Sequence, residues 1–145
     1  MAITKNSARQ EVIQARADFT LADLTSGSAV AAIDLPRNAR ILNVLLRIET
    51  AFNSGTSDAL IVQSNEGTPK AYITISAGSG ALAASKVWSS DPAIAGTASS
   101  NVGFVNTSPS TLDVKWTGVG TAATTGAGTL LVTYIVSTRA EFSQG

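Results

Sequence analysis

The stretch "ARILNVLLRIETAF", residues 39–52, constrains the fold more than any other part of the chain. Leu42, Val44, Leu46 and Ile48 alternate with Ile41, Asn43, Leu45, Arg47 and Glu49. In an extended backbone successive side chains point to opposite faces, so the first set makes one apolar face and the second a mixed one. A helix over the same residues would scatter them, tolerate Asn43 and several β-branched residues, and lack a good cap. The wholly apolar face asks for cover, and Ile41 and Leu45 on the mixed face are candidates to pack on a neighbour, which points to a layered β structure.

The rest of the chain repeats this lesson in shorter pieces. Glu11 to Phe19 alternates, with Ile13, Ala15, Ala17 and Phe19 on the apolar side. "AVAAIDLP" reads as a second strand stopped by Pro36, and "DALIVQ", "KAYITIS", "KVWSS" and "NVGFVN" as short strands. In "KAYITIS", Ala71, Ile73 and Ile75 oppose Tyr72 and Thr74. "TLDVKWTG" sets Leu112, Val114 and Trp116 against Asp113, Lys115 and Thr117. "TLLVTYIVS" sets Leu130, Val132, Tyr134 and Val136 against Leu131, Thr133 and Ile135. Eight or nine strands separated by Gly, Pro, Asn and Ser turns, with no long helical pattern, predict an all-β fold. The expected architecture is a single antiparallel β-sandwich, jelly-roll-like, over residues 10–138. A polar, flexible N-terminal arm is expected over residues 1–9 and a polar tail over 139–145.

Composition removes whole classes of chemistry. The chain of 145 residues has no Cys and no His, so disulfides, zinc–thiolate sites, Cys nucleophiles and Ser-His-Asp triads are all excluded. A Ser/Lys dyad or an Asp pair stays open. Asp18, Asp34, Asp58, Asp91 and Asp113 are however scattered singly, and each reads as a solvated or turn-capping acid. No catalytic, cofactor-binding or metal-binding residue is assigned. "GVGTAATTGAGT" lacks GxxxxGK[ST] and precedes a strand where a phosphate cradle would open a helix. "NSGTSDA" offers Asn53, Ser54, Thr56, Ser57 and Asp58 as oxygen ligands, with Glu66 further on, but only one carboxylate in the loop. It reads as a turn, with Gly55 at positive φ, Asp58 capping backbone N–H groups and Phe52 closing the core at a strand end.

Ten basic and ten acidic residues cancel, and charged residues make up 14% of the chain. No field of one sign draws such a chain to nucleic acid or to an anionic membrane. A surface poor in charge suits burial against protein partners. Arg37, Arg40 and Arg47 are candidates for ion pairs with a partner protein or with Glu49. Arg40 and Arg47 lie an odd number apart and would face opposite sides of one regular strand. Trp88 reads as a core residue or an interface anchor, and Trp116, alternating with Asp113 and Lys115, as inward-facing. The N-terminus has no apolar core of a signal peptide, and no apolar run approaches the roughly 20 residues of a membrane span, which implies assembly in a cytoplasm.

Three segments together resemble a known group: "IDLPRNARILNVLLRIETAFNSGTSDALIV", "AYITIS" and "VKWTGVGTAATTGAGTLLVTYIV". They are similar to small β-sandwich virion structural proteins of tailed bacteriophages, of the head decoration or cement type. The matches are Leu35, Pro36 and Ala39; Ala51 to Asp58; and Gly118, Gly120, Thr121, Gly126, Gly128, Leu130, Val132 and Tyr134. The resemblance spans roughly residues 33–136. It implies a non-enzymatic role, the major capsid protein as partner, a homo-oligomer with the trimer favoured, and a place on the capsid surface of the virion. A tail or tail-fibre component acting as a receptor- or carbohydrate-binding module is the alternative it leaves. A small hydrolase built on a sandwich is the third class.

Overall fold

A computed structural model describes residues 11–78, 80–91, 101–103 and 106–136. The expected N-terminal arm and C-terminal tail lie outside these residues. Eight strands follow in order: β1 Val12–Thr20, β2 Ala29–Leu35, β3 Ala39–Thr50, β4 Ser57–Ser64, β5 Ala71–Gly78, β6 Val87–Ser89, β7 Ser110–Val119 and β8 Ala127–Val136. The one helical piece among the described residues is a single 3-10 turn, Leu21–Asp23. The strands form two antiparallel four-stranded sheets, ordered β1-β8-β3-β6 and β2-β7-β4-β5. The pairing is nested: β1 takes β8, β2 takes β7, β3 takes β6 and β4 takes β5. The sandwich expected from the alternation is therefore present.

The core lies between the sheets. Val44, Leu46, Ile48, Leu60, Val62, Leu112, Leu130 and Val132 are fully buried there. Burying each such side chain contributes about 1.5–3 kcal/mol. The alternation holds along β1 and β8 as read from the sequence, and β4 alternates as well. It breaks in β3. The register jumps between Ile41–Tyr134 and Asn43–Thr133, so Leu42 is an extra residue. Such a bulge moves every later side chain to the other face. Ile41 is buried and Leu42 is 38% exposed, the reverse of the regular-strand expectation. Ser90 holds the bulge: Val44 N donates to Ser90 Oγ at 2.8 Å and Ser90 Oγ donates to Asn43 Oδ1 at 3.0 Å. β5 carries the same device, where the extra residue Tyr72 sits between the Ile73 and Ala71 pairings and is buried beside Ile73. The strand expected at "NVGFVN" is a turn over residues 101–103, with Gly103 N donating to Ile41 O at 2.8 Å; Phe104 and Val105 lie outside the described residues.

The two Gly- and Thr-rich segments interlock at one end of the sandwich. Residues 50–58 cross against the β7–β8 loop, with Gly55 N donating to Thr121 O and Thr56 N to Val119 O. Asn53 Oδ1 accepts from Thr124 N and Thr125 N. Asp58 is 5% exposed, and its carboxylate is held by three donors: Ser54 N at 3.1 Å, Ser54 Oγ at 2.6 Å and Trp116 Nε1 at 2.9 Å. Asp58 thus caps the turn as expected. The Phe52 ring packs on Trp116, centroids 5.7 Å apart. Gly55 departs from expectation. It is not at positive φ; a Cβ there would lie 2.6 Å from Thr121 N, so it is small because the two segments touch. Gly120 is the residue at positive φ, +91°, with Thr56 Oγ1 2.5 Å from where its Cβ would stand.

Four outcomes are expected. Asp58→Ala strands the buried Trp116 and Ser54 donors and should cost about 2–3 kcal/mol in denaturant unfolding. Gly126→Ala, whose Cβ would fall 2.5 Å from the Phe52 ring, should cost about 1–3 kcal/mol by overpacking. Gly67→Ala, with nothing within 4 Å, should leave the midpoint unchanged. Burial, reinforced by the nearby Glu66 charge, pushes the Tyr72 hydroxyl up to about 12 from 10.0. The neutral phenol is favoured in the fold, so its contribution is complete below pH 10 and lost as pH rises from 10 through about 12. A wild-type minus Tyr72→Phe difference in unfolding free energy should fall over that window alone.

Candidate interaction surface

The outer face of each sheet is the side turned away from the core. On the β1-β8-β3-β6 sheet, cross-strand rows run Val12–Ile135–Arg40, Gln14–Thr133–Asn43, Arg16–Leu131–Leu45–Ser89 and Asp18–Thr129–Arg47–Val87. Leu131, Leu45 and Ile135 are half-buried along its middle, and Val12, Leu42 and Val87 are 60%, 38% and 44% exposed. Charges flank this strip in local pairs. Arg16 meets Asp18 at 2.9 Å and Arg47 meets Glu49 at 3.2 Å. Asp18 also accepts from Thr129 Oγ1 at 2.7 Å, and that bond, helped by Arg16, holds its carboxyl below the usual value. The outer face of the other sheet carries mostly small or polar side chains, with Ile61 among them, in rows Ala29–Lys115–Ile61–Thr74 and Ala31–Asp113–Gln63–Ala71.

The bulge at Leu42 decides where the arginines stand. Seven positions separate Arg40 from Arg47, and one inserted residue returns them to the same side. Both are exposed on the outer face, which corrects the opposite-sides expectation. Arg37 is exposed in the β2–β3 turn, ahead of Asn38 at φ +63°. Trp88 pairs with inward-facing Leu46, is half-buried against the core, and keeps its Nε1 buried without an acceptor. Trp116, 6% exposed, is inward as expected.

The acids stay apart. Asp58 spends its lone pairs on Ser54 and Trp116 and is not open to a cation. Asp113 is not solvated as expected: it is 5% exposed on a sheet's outer face and accepts from Thr111 Oγ1. The sequence pattern placed Asp113 on the outward side correctly. Its cross-strand neighbours are Ala31 on β2 and Gln63 on β4, which only the sheet order brings together. The described residues bring no three carboxylates together.

No family model matches the chain, and no curated protein matches it. Solved structures do. The chain is similar to one in the acidic stable capsid structure of Helicobacter pylori bacteriophage KHP30, at 16% identity and TM-score 0.59, covering 86% of both chains. It is similar to one in the cyanophage Pam1 capsid asymmetric unit, at 16% identity and TM-score 0.62, covering 94% of this chain and 91% of that one. A third is in the capsid of Ralstonia phage GP4, at 19% identity and TM-score 0.55, covering 95% and 92%. This protein therefore has a fold found in the capsids of three phages.

Proposed function

We propose that this chain is a non-enzymatic structural protein of a tailed-phage virion, a decoration or cement protein that binds across major capsid protein subunits on the head surface. The observation that carries the reading is the near-complete mutual coverage with chains of three capsid structures. The matched chains are about as long as this one, so the likeness is of whole chain to whole chain. The outer strip of Leu45, Leu131 and Ile135, edged by Arg40 and Arg47, has the make-up of a protein-binding face: apolar centre, charged rim. Strand order adds support, since eight strands nested in two sheets are the jelly-roll arrangement that recurs in viral capsid domains. A trimer is the form that the resemblance implies.

The mechanism is mass action. A ligand that binds only the assembled shell stabilises it by RT ln(1 + [L]/Kd), about 2.7 kcal/mol per site at a hundredfold excess over Kd. Summed over many sites, modest contacts oppose the outward pressure of packaged DNA. A carbohydrate-binding tail module has less support, because Trp88 and Trp116 both turn inward and leave no aromatic platform among the described residues.

Adding purified chain to DNA-filled heads that lack it should raise the temperature of DNA release. Leu45→Glu with Leu131→Glu should abolish that rise and remove the protein from sedimented heads. The Tm of the free variant should stay within a few degrees, because both side chains point away from the core. A wild-type chain that does not cosediment with heads would overturn the cement role.

A further inference from the structure

Four strands form the sheet edges, and three of them are blunted. β6 is only three residues long. β2 is interrupted by a bulge at Ala32. β5 is bulged at two places and already receives Asn101 Nδ2 at Ala71 O, 2.7 Å. β1 is different. Its nine residues pair with β8 without one register shift, and they contain no Pro and no Lys. Among the described residues no strand covers this edge, and an edge of this length is a template for another strand.

The direction of its free hydrogen-bonding groups follows from two contacts. Leu21 N donates to Gly126 O at 2.8 Å, continuing the β1–β8 ladder past Thr20–Ala127. Alternation along an antiparallel ladder then turns residues 13, 15, 17 and 19 toward β8. Residues 12, 14, 16, 18 and 20 turn their N–H and C=O groups to the open edge. Thr20 N agrees: it is bound by Asp23 Oδ2 at 2.8 Å rather than by β8. That bond closes the edge at its C-terminal end, leaving 12 to 18 as the open donors.

We propose that two copies of this chain join along β1, antiparallel, with Ala17 on the two-fold axis. Arg16 of one copy then lies opposite Asp18 of the other, in a hydrogen-bonded pair, twice over. On the outer face Arg16 stands beside Asp18 of its own strand and across from Asp18 of the second copy, an alternating square of four charges. That reciprocal complementarity selects a second copy over a foreign strand. Small Ala17 meets itself at the axis, where the backbones approach most closely. The two sheets fuse into one of eight strands, β6-β3-β8-β1 continuing into its symmetry mate. The contact is separate from the capsid-binding reading and stands or falls without it; where copies also form a ring, it joins one ring to the next.

The lack of any Cys makes the register directly testable. Ala17→Cys should give a covalent dimer on mild oxidation, since Cα atoms of such a pair lie about 4.5 Å apart, within disulfide reach. Val12→Cys, though more exposed, places its two thiols roughly 30 Å apart by strand rise and should cross-link about tenfold more slowly or not at all. Adding Arg16→Glu to Ala17→Cys should slow cross-linking about tenfold, and replacing it by the swap Arg16→Asp with Asp18→Arg should restore the rate. Arg16→Pro removes an N–H that faces only the edge, so the fold should survive while the association seen by sedimentation is lost. Equal cross-linking at positions 12 and 17, an association indifferent to Arg16→Glu and Arg16→Pro, or a chain that sediments at 14.8 kDa at every concentration would overturn the proposal.

Discussion

The buried carboxylate of Asp58 is the point on which one end of the sandwich depends. A charge taken out of water must find donors. Here they come from two segments far apart in sequence, Ser54 in the β3–β4 turn and Trp116 in β7. Meeting that demand brings Phe52 onto the Trp116 ring and presses residues 50–58 against the β7–β8 loop. The glycines on both sides are then required, because there is no room for a Cβ at Gly55, Gly120 or Gly126. What resembles a ligand loop in the sequence is a clasp between two crossings. The two signature stretches accompany each other because they are one structural unit.

Bulges do the equivalent work along the strands. A sandwich of strongly twisted sheets cannot keep every side chain on its period-2 face, and single inserted residues adjust it. At Leu42 the adjustment places Arg40 and Arg47 on one face. At Tyr72 it buries a large ring where a regular strand would have exposed it. Each bulge residue leaves a backbone group to satisfy, and Ser90 supplies the partner near Leu42.

Most of the strands, their core faces in β1, β7 and β8, and the capping role of Asp58 were legible because burial and turn chemistry write directly into residue order. The bulges were not, since an inserted residue has the same letters as a regular one. Sheet order was also hidden, and with it the place of Asp113 between β2 and β4. The outward strip of Leu45, Leu131 and Ile135 could be suspected from the mixed faces, but only the pairing of β3 with β8 assembles it.

The nested pairing has a consequence for how the chain comes off the ribosome. Apart from the β4–β5 hairpin, every strand waits for a partner from the opposite half of the chain. Contacts that distant close slowly, because loop entropy is lost before burial rewards it. β8, the last strand, lies between β1 and β3, so the first sheet has no centre until synthesis has passed Val136. Neither its outer face nor the one-sided edge of β1 exists on a nascent chain. A chain that stops short of β8 therefore has neither the outer face nor the one-sided edge, and cannot present half of either.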